Sequence, residues 1–268
     1  MNKKFFSFIL MTALFAAMLA SCEKDKENDN TVKLLKTIAV CCIKSDGHDE
    51  DIGRYDKYKF EYDEQNRITK MSEYNYDGSL YYTRTFTYAG DNLSQVLHSN
   101  SSDRVSTYEY TKSGNTITQR YTYDGIVSTS TIELDSDGLL IKQEHEKDQF
   151  GNYSFETYEY QDGNMTKKTQ RAILPQYDYT ESHTYNYEYD NQKGALYHCK
   201  TPKWCLILHL NDFGVKNNIT EHWYTRNYEE YIYEFDGAGF PSKRTCENTW
   251  GMVGHVKEWV EDFTYIKK

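Results

Sequence analysis

One pattern constrains this chain more than any other: two aromatic residues set two apart, then a polar turn, then a more polar run. It reads YKFEYDEQNRITK at Tyr58–Lys70, FTYAGDNLSQV at Phe86–Val96, YEYTKSGNTIT at Tyr108–Thr118 and YEYQDGNMTKK at Tyr158–Lys168. The residue closing each pair falls at Tyr62, Tyr88, Tyr110, Leu134, Tyr160 and Tyr189. Weaker continuations fall at Leu210, Phe235 and Tyr265. A period of about 24 residues held this long marks a repeated supersecondary unit.

Within a unit the period is two. Tyr58, Phe60 and Tyr62 share one face, and Lys59, Glu61 and Asp63 share the other. Such alternation is the mark of a strand with one face buried. The turns that follow use Asp, Gly and Asn, as in Asp63–Asn66, Ser136–Gly138 and Gln161–Asn164. These residues tolerate the positive φ that hairpin turns require. A second strand then runs over Ile68–Tyr74, Leu93–His98, Thr116–Tyr121, Leu139–Glu144 and Met165–Gln170. The expectation is an all-β fold, an antiparallel up-and-down meander of about 16 strands built from two-strand units. A sheet of that width twists and cannot leave its edges open, so it closes as a barrel or a wrapped shell. The outward faces carry Lys, Glu, Thr and Ser, whereas a membrane-spanning barrel carries an apolar band there. Tyr at 26 residues and Pro at only 3 suit strands that must donate ladder hydrogen bonds. The stretch Tyr197–Leu210 interrupts the repeat.

The N-terminus has a different character. Lys3 and Lys4 precede an apolar run from Phe5 to Ala20, which ends in the small residues of Leu19-Ala20-Ser21-Cys22. This reads as a secretory leader over residues 1–21, too short for a membrane span. Leu19–Cys22 resembles a bacterial lipobox, which implies lipidation of Cys22 and anchoring without a spanning helix. Residues 22–33 read as an acidic flexible tether carrying Glu23, Asp25, Glu27 and Asp29. Acidic residues in that place also resemble the surface-export signal of Bacteroidetes lipoproteins. Residues 34–268 read as a single tyrosine-rich domain. The expected location is the outer membrane, at the cell surface or on the periplasmic face. The formal charge is −10 and becomes more acidic without Lys3 and Lys4, so nucleic acid is excluded as a partner.

The Y-x-Y-D-x-x-G-N core resembles the YD repeats of RHS-type proteins, which wind β-hairpins into a shell. The combination of lipobox, acidic tether and tyrosine-rich repeats resembles an uncharacterised Bacteroidetes lipoprotein family with a porin-like up-and-down fold. That resemblance implies no activity and no catalytic residues.

No phosphate-binding glycine loop, GxSxG elbow or HExxH pair occurs. His198, Cys199, Cys205 and His209 lack a recognised zinc spacing. Asp135-Ser136-Asp137-Gly138 lacks the rest of a calcium loop. The expectation is therefore a non-enzyme with no metal and no cofactor. Cys199 and Cys205 could close a small disulfide loop or remain buried thiols, and Cys246 could pair with Cys41 or Cys42. All four Trp lie late in the chain. Trp204, Trp223 and Trp250 are candidates for a ligand cup, because flat aromatic faces suit sugar rings or lipid chains. The alternative is that they only fill the core. The functional expectation is a glycan- or lipid-binding lipoprotein, with a structural or adhesive protein as the alternative and a hydrolase as the least favoured reading.

Overall fold

A computed structural model describes residues 31–45, 48–50, 54–210, 213–224, 227–250 and 255–268. The leader, Cys22 and most of the tether lie outside the described residues, as do the side chains of Cys42 and Trp250. The strands are β1 (Lys33–Ser45), β2 (His48–Glu50), β3 (Tyr55–Tyr62), β4 (Ile68–Tyr74), β5 (Leu80–Ala89), β6 (Asn92–Asn100), β7 (Val105–Ser113), β8 (Thr116–Tyr123) and β9 (Ile126–Leu134). They continue as β10 (Leu140–His145), β11 (Tyr153–Gln161), β12 (Asn164–Leu174), β13 (Tyr179–Tyr189), β14 (Ile219–Tyr224), β15 (Asn227–Phe235), β16 (Pro241–Trp250) and β17 (His255–Lys267). Among the described residues one α-helix, α1 (Lys203–Leu210), lies between β13 and β14, and a single 3-10 turn, Pro175–Tyr177, joins β12 to β13.

Every strand pairs antiparallel with its sequence neighbour, and β1 closes the ring by pairing β17 on one edge and β3 on the other. β2 is a short flap on the far half of β1. The remaining sixteen strands form a closed up-and-down barrel.

The hairpins follow from turn chemistry. In Asp63–Arg67 the Asp63 carboxylate accepts from the amides of Gln65 and Arg67, both at 2.9 Å. Asn66 takes φ 65° in the left-handed region. Asp135, Asp148 and Asp236 build the same five-residue turn, with a glycine in the left-handed place. This is a type I turn followed by a left-handed residue, a common way to close a longer hairpin loop. Asp162-Gly163, both at positive φ, instead make the tight two-residue turn of YEYQDGN.

Six of the strand pairings carry a bulge that a tyrosine completes. Register shifts fall at Leu35, Ile68, Leu140, Met165, Ile219 and Pro241. The carbonyl of each of these six residues accepts a tyrosine hydroxyl. The pairs are Tyr62 to Leu35 at 2.8 Å, Tyr88 to Ile68 at 2.8 Å and Tyr160 to Leu140 at 2.7 Å. Tyr189 to Met165 at 2.7 Å, Tyr233 to Ile219 at 3.0 Å and Tyr265 to Pro241 at 2.9 Å complete the set. A bulge leaves a ladder group without its regular partner, and here the last tyrosine of a neighbouring aromatic pair supplies a donor. The β5–β6 pairing also has a register shift, at Leu93, but the tyrosine in the matching place, Tyr110, is bonded to His209 of α1 at 2.7 Å.

The inward face meets a core that the chain itself supplies. Residues 190–210 and 213–218, between β13 and β14, fold back into the barrel as a plug. Trp204, Cys205, Leu206, Ile207 and Leu210 of α1, with Leu196 and Phe213, pack in one cluster with Phe60, Ile68, Phe86, Val96, Ile117, Ile132 and Met165 of the wall. Leu210 therefore ends a helix, not a strand as the repeat implies. KWCLILHL is apolar nearly all round, which suits a helix buried on every side. The plug is tied to the wall by Lys200 N to Asn66 O at 3.0 Å and by Ile68 N to the Thr201 hydroxyl at 2.8 Å. Arg84 Nη1 donates to the carbonyl of His209 at 2.6 Å, satisfying a group at the helix C-terminus.

The outward face carries cross-strand ion pairs, including Lys70–Glu61, Arg120–Glu109, Lys167–Glu159 and Lys243–Glu234. A charged ladder of this kind faces water.

Candidate ligand site

The barrel wall opens where β12 and β13 part. Their ladder runs from Leu174↔Tyr179 up to Lys167↔Asn186 and stops there. Above it, Asn164–Thr166 and Tyr187–Tyr189 are spanned by the Tyr189 hydroxyl bond to Met165. The gap forms a cleft of about 730 Å³. The plug closes its floor: Asn217 N donates to Asn164 Oδ1 at 3.2 Å, and Asn164 Nδ2 donates to Asn217 Oδ1 at 2.9 Å. Asn217 Nδ2 also reaches the carbonyl of Gln192 at 2.6 Å. Lys216 Nζ donates to the carbonyl of Asp162.

The loop geometry behind this floor depends on two glycines. A Cβ on Gly194 would lie 2.5 Å from the carbonyl oxygen of Gly214, and Gly214 itself holds φ +69°. The two loop strands cross with no room for a side chain. Asp190 at the cleft edge takes the Asn218 side chain and the amide of Gln192 at 3.1 Å each. Burial raises its pKa despite those donors.

Trp223 of β14 lines the cleft, opposite Asn186 in the ladder. Trp204 stands elsewhere: it is buried on α1, edge-on to Tyr110 at 5.0 Å, and lines a separate pocket of about 390 Å³ with Cys199 and Lys200. Trp223 and Trp204 thus belong to two sites. Cys199, Cys205 and Cys246 are free thiols, and burial raises the pKa of each. His209 lies against His98, Tyr108 and Tyr110 inside the barrel. Among the described residues, no group of three His, Cys, Asp or Glu side chains is placed to hold a metal ion.

Sequence reasoning missed the amides. Asn164, Asn186 and Asn217 read as turn or strand residues, and only the splayed strands and the plug bring them to one surface. The plug helix did leave a signal, Pro202 followed by an unbroken apolar run.

The interior carboxylates are fully engaged. Glu156 accepts from Tyr158, Gln170 and Lys168, the last at 3.2 Å. Burial raises its pKa, but Lys168 and the two neutral donors outweigh that and hold it below the ordinary value. Glu229 accepts from Tyr231, from His222 at 3.4 Å and from Asn248 at 2.7 Å, and its pKa is likewise lowered against burial. Glu261 takes Arg244 Nε at 2.8 Å and Trp259 Nε1 at 3.0 Å. Such carboxylates hold the wall together, and Glu156 and Glu229, both held low, stay ionised near neutral pH.

No protein-family model and no curated protein matches the chain. Among solved structures, a porin-like protein from Bacteroides uniformis aligns over 87% of this chain and 96% of its own, at 15% identity and a TM-score of 0.49. A porin-like protein from Bacteroides vulgatus aligns over 87% and 99%, at 12% identity and a TM-score of 0.36. The barrel assignment rests on the closed ladder of this chain's own strands.

Proposed function

We propose that this protein is a non-catalytic lipoprotein, anchored in the outer membrane through Cys22, that holds a glycan in the cleft between β12 and β13. The observation carrying this reading is the conjunction of Trp223 and Tyr187 with the side-chain amides of Asn164, Asn186 and Asn217 in one open cleft. An aromatic face packs on the C–H surface of a sugar ring. A carboxamide both donates and accepts, which matches a hydroxyl. A volume of about 730 Å³ falls within the range of small-ligand clefts. The lining mixes aromatic faces with amides and, with Asp162, Glu188 and Asp190 against Lys216, suits a saccharide that offers both C–H faces and hydroxyls.

The test is calorimetric titration of the domain with a panel of neutral oligosaccharides, comparing wild type with Trp223→Ala and Asn186→Ala. Binding to one member, weakened at least tenfold in both variants, is the expected result. No binding across the panel, or binding unchanged in both variants, would sink the reading. Anchoring is tested separately by detergent-phase partitioning: the wild-type chain should enter the detergent phase and Cys22→Ala should not.

A further inference from the structure

The two ends of the barrel differ. One end carries the plug and the turns Asp63–Arg67, Asp135–Leu139, Gln161–Asn164 and Asp236–Phe240, which are polar. The other end carries the β4–β5, β6–β7, β8–β9, β10–β11 and β12–β13 connections. Every one of these five successive connections presents a large apolar side chain to solvent. They are Tyr76 (72% exposed) with Leu80, then Val105, then Ile126 (67%), then Phe150 (60%), then Tyr177 (71%) with Tyr179. Scattered exposed apolar residues need no explanation, but an arc of them along one rim does.

We propose that this rim is a docking face for a basic, amphipathic polypeptide. Three observations favour that occupant over a bilayer or a second copy of the chain. First, each of the five connections also carries an aspartate: Asp77, Asp103, Asp124, Asp148 and Asp178. Side-chain and backbone donors from Ser79 lower the pKa of Asp77. Burial acts against this at Asp148, where amide donors from Phe150 and Asn152 lower it. The rim is thus apolar at its tips and anionic between them, with Arg104 and Lys147 the cations in these connections. Its complement is a cationic surface with apolar inserts, whereas an anionic bilayer or an identical rim would be repelled. Second, the chain enters the barrel at the opposite end, where Val32 and Lys268 exchange backbone hydrogen bonds at 3.3 and 3.0 Å. Whatever holds the N-terminus therefore holds the plugged end, and the apolar rim points away from it. Third, the tips stand on separate hairpins along an arc. That suits an extended or helical segment that meets several of them in turn.

The aspartates also have a local role, because they shape the turns they occupy; this accounts for Asp in each loop but not for the exposed apolar neighbour.

The test uses the domain from Thr31 and four defined probes. These are a helical peptide of alternating Lys and Leu faces, its Lys→Glu counterpart, phosphatidylcholine vesicles and phosphatidylglycerol vesicles. Fluorescence anisotropy should show binding of the Lys/Leu peptide, at least tenfold weaker for the Lys→Glu peptide and weakened by added salt. A Tyr76→Ser/Ile126→Ser/Phe150→Ser/Tyr177→Ser variant should lose at least tenfold in affinity with an unchanged circular-dichroism melt. Asp124→Asn/Asp148→Asn should lose affinity in the same direction. The proposal is overturned if wild type ignores the Lys/Leu peptide, if the four-site variant binds it equally, if vesicles of either kind compete it away, or if wild type dimerises through this rim. Because all the altered residues lie at the end away from the plug, saccharide titration of the same variants separates this proposal from the cleft reading.

Discussion

Replacing Tyr160 by Phe deletes one oxygen and leaves the ring in place. That oxygen donates to the Leu140 carbonyl at 2.7 Å, at a register shift between β9 and β10. Burial pushes the hydroxyl's pKa well above its ordinary value, so it stays a proton donor throughout the usable pH range. Its loss leaves the carbonyl of the fully buried Leu140 without that donor. A net loss of about 1–1.5 kcal/mol is expected for a neutral hydrogen bond of this kind. For a domain of this size, each kcal/mol corresponds to a melting-temperature shift of about 2–4 °C. The measurement is the urea midpoint with the slope held fixed, alongside the thermal midpoint. Tyr62→Phe, which removes the bond to Leu35 across a different pair of strands, should cost a similar amount. The double variant should be additive to within about 0.5 kcal/mol, because the two sites share no partner. Tyr76→Phe, at an exposed ring, is the control and should change stability by less than about 0.5 kcal/mol. If Tyr160→Phe and Tyr76→Phe are indistinguishable, the bulge carbonyls are satisfied by water, and the reasoning that makes the tyrosines structural donors is wrong.

Two further perturbations probe the interior. Burial, assisted by the Arg84 charge, lowers the His98 pKa to about 3. The unfolded chain binds that proton near 6.5, so this contribution to stability is complete above pH 6.5 and is lost as pH falls from there toward 3. Between pH 6 and 4.5, stability should fall with a slope of up to about 1.4 kcal/mol per pH unit from His98. His209, held low by burial, adds to the slope, and urea midpoints of His98→Gln should show a shallower fall; an identical slope would refute the assignment. Glu261→Gln should cost about 3–5 kcal/mol by leaving Arg244 buried without its partner, while Arg244→Met/Glu261→Leu should lose far less. A single-variant loss below about 1 kcal/mol, read by urea denaturation, would show that water reaches the pair.

The hairpins were legible because their information is local. Asp63, Asn66 and Arg67 fold a turn from within five residues, and Tyr58, Phe60 and Tyr62 declare a face by alternation. The second strand beginning at Ile68 is bounded in the structure as its sequence implies. The end of that legibility is visible at Leu210. The run LILHL satisfies a period-two pattern and a helical one about equally, and only its surroundings decide between them. Enclosed by a wall that already pairs all its strands, the segment must satisfy its backbone internally, and a helix does so. Trp204 and Trp223 illustrate the same limit. Nothing in their spacing tells that one lies under the plug and the other opens onto a cleft.

The sequence by itself therefore determined the strand count, the inward aromatic face, the charged outer face and the positions of the turns. Each is written in contacts between residues a few positions apart. The tertiary structure alone decided that the sheet closes through β1 and β17, that residues 190–210 and 213–218 fill the interior, and that six bulge carbonyls each meet a tyrosine from another strand. It also decided that Asn164 and Asn217, 53 residues apart, meet at one cleft. These depend on ring closure. Register shifts accumulated around the barrel fix which distant residues face each other, and that sum is not present in any single repeat.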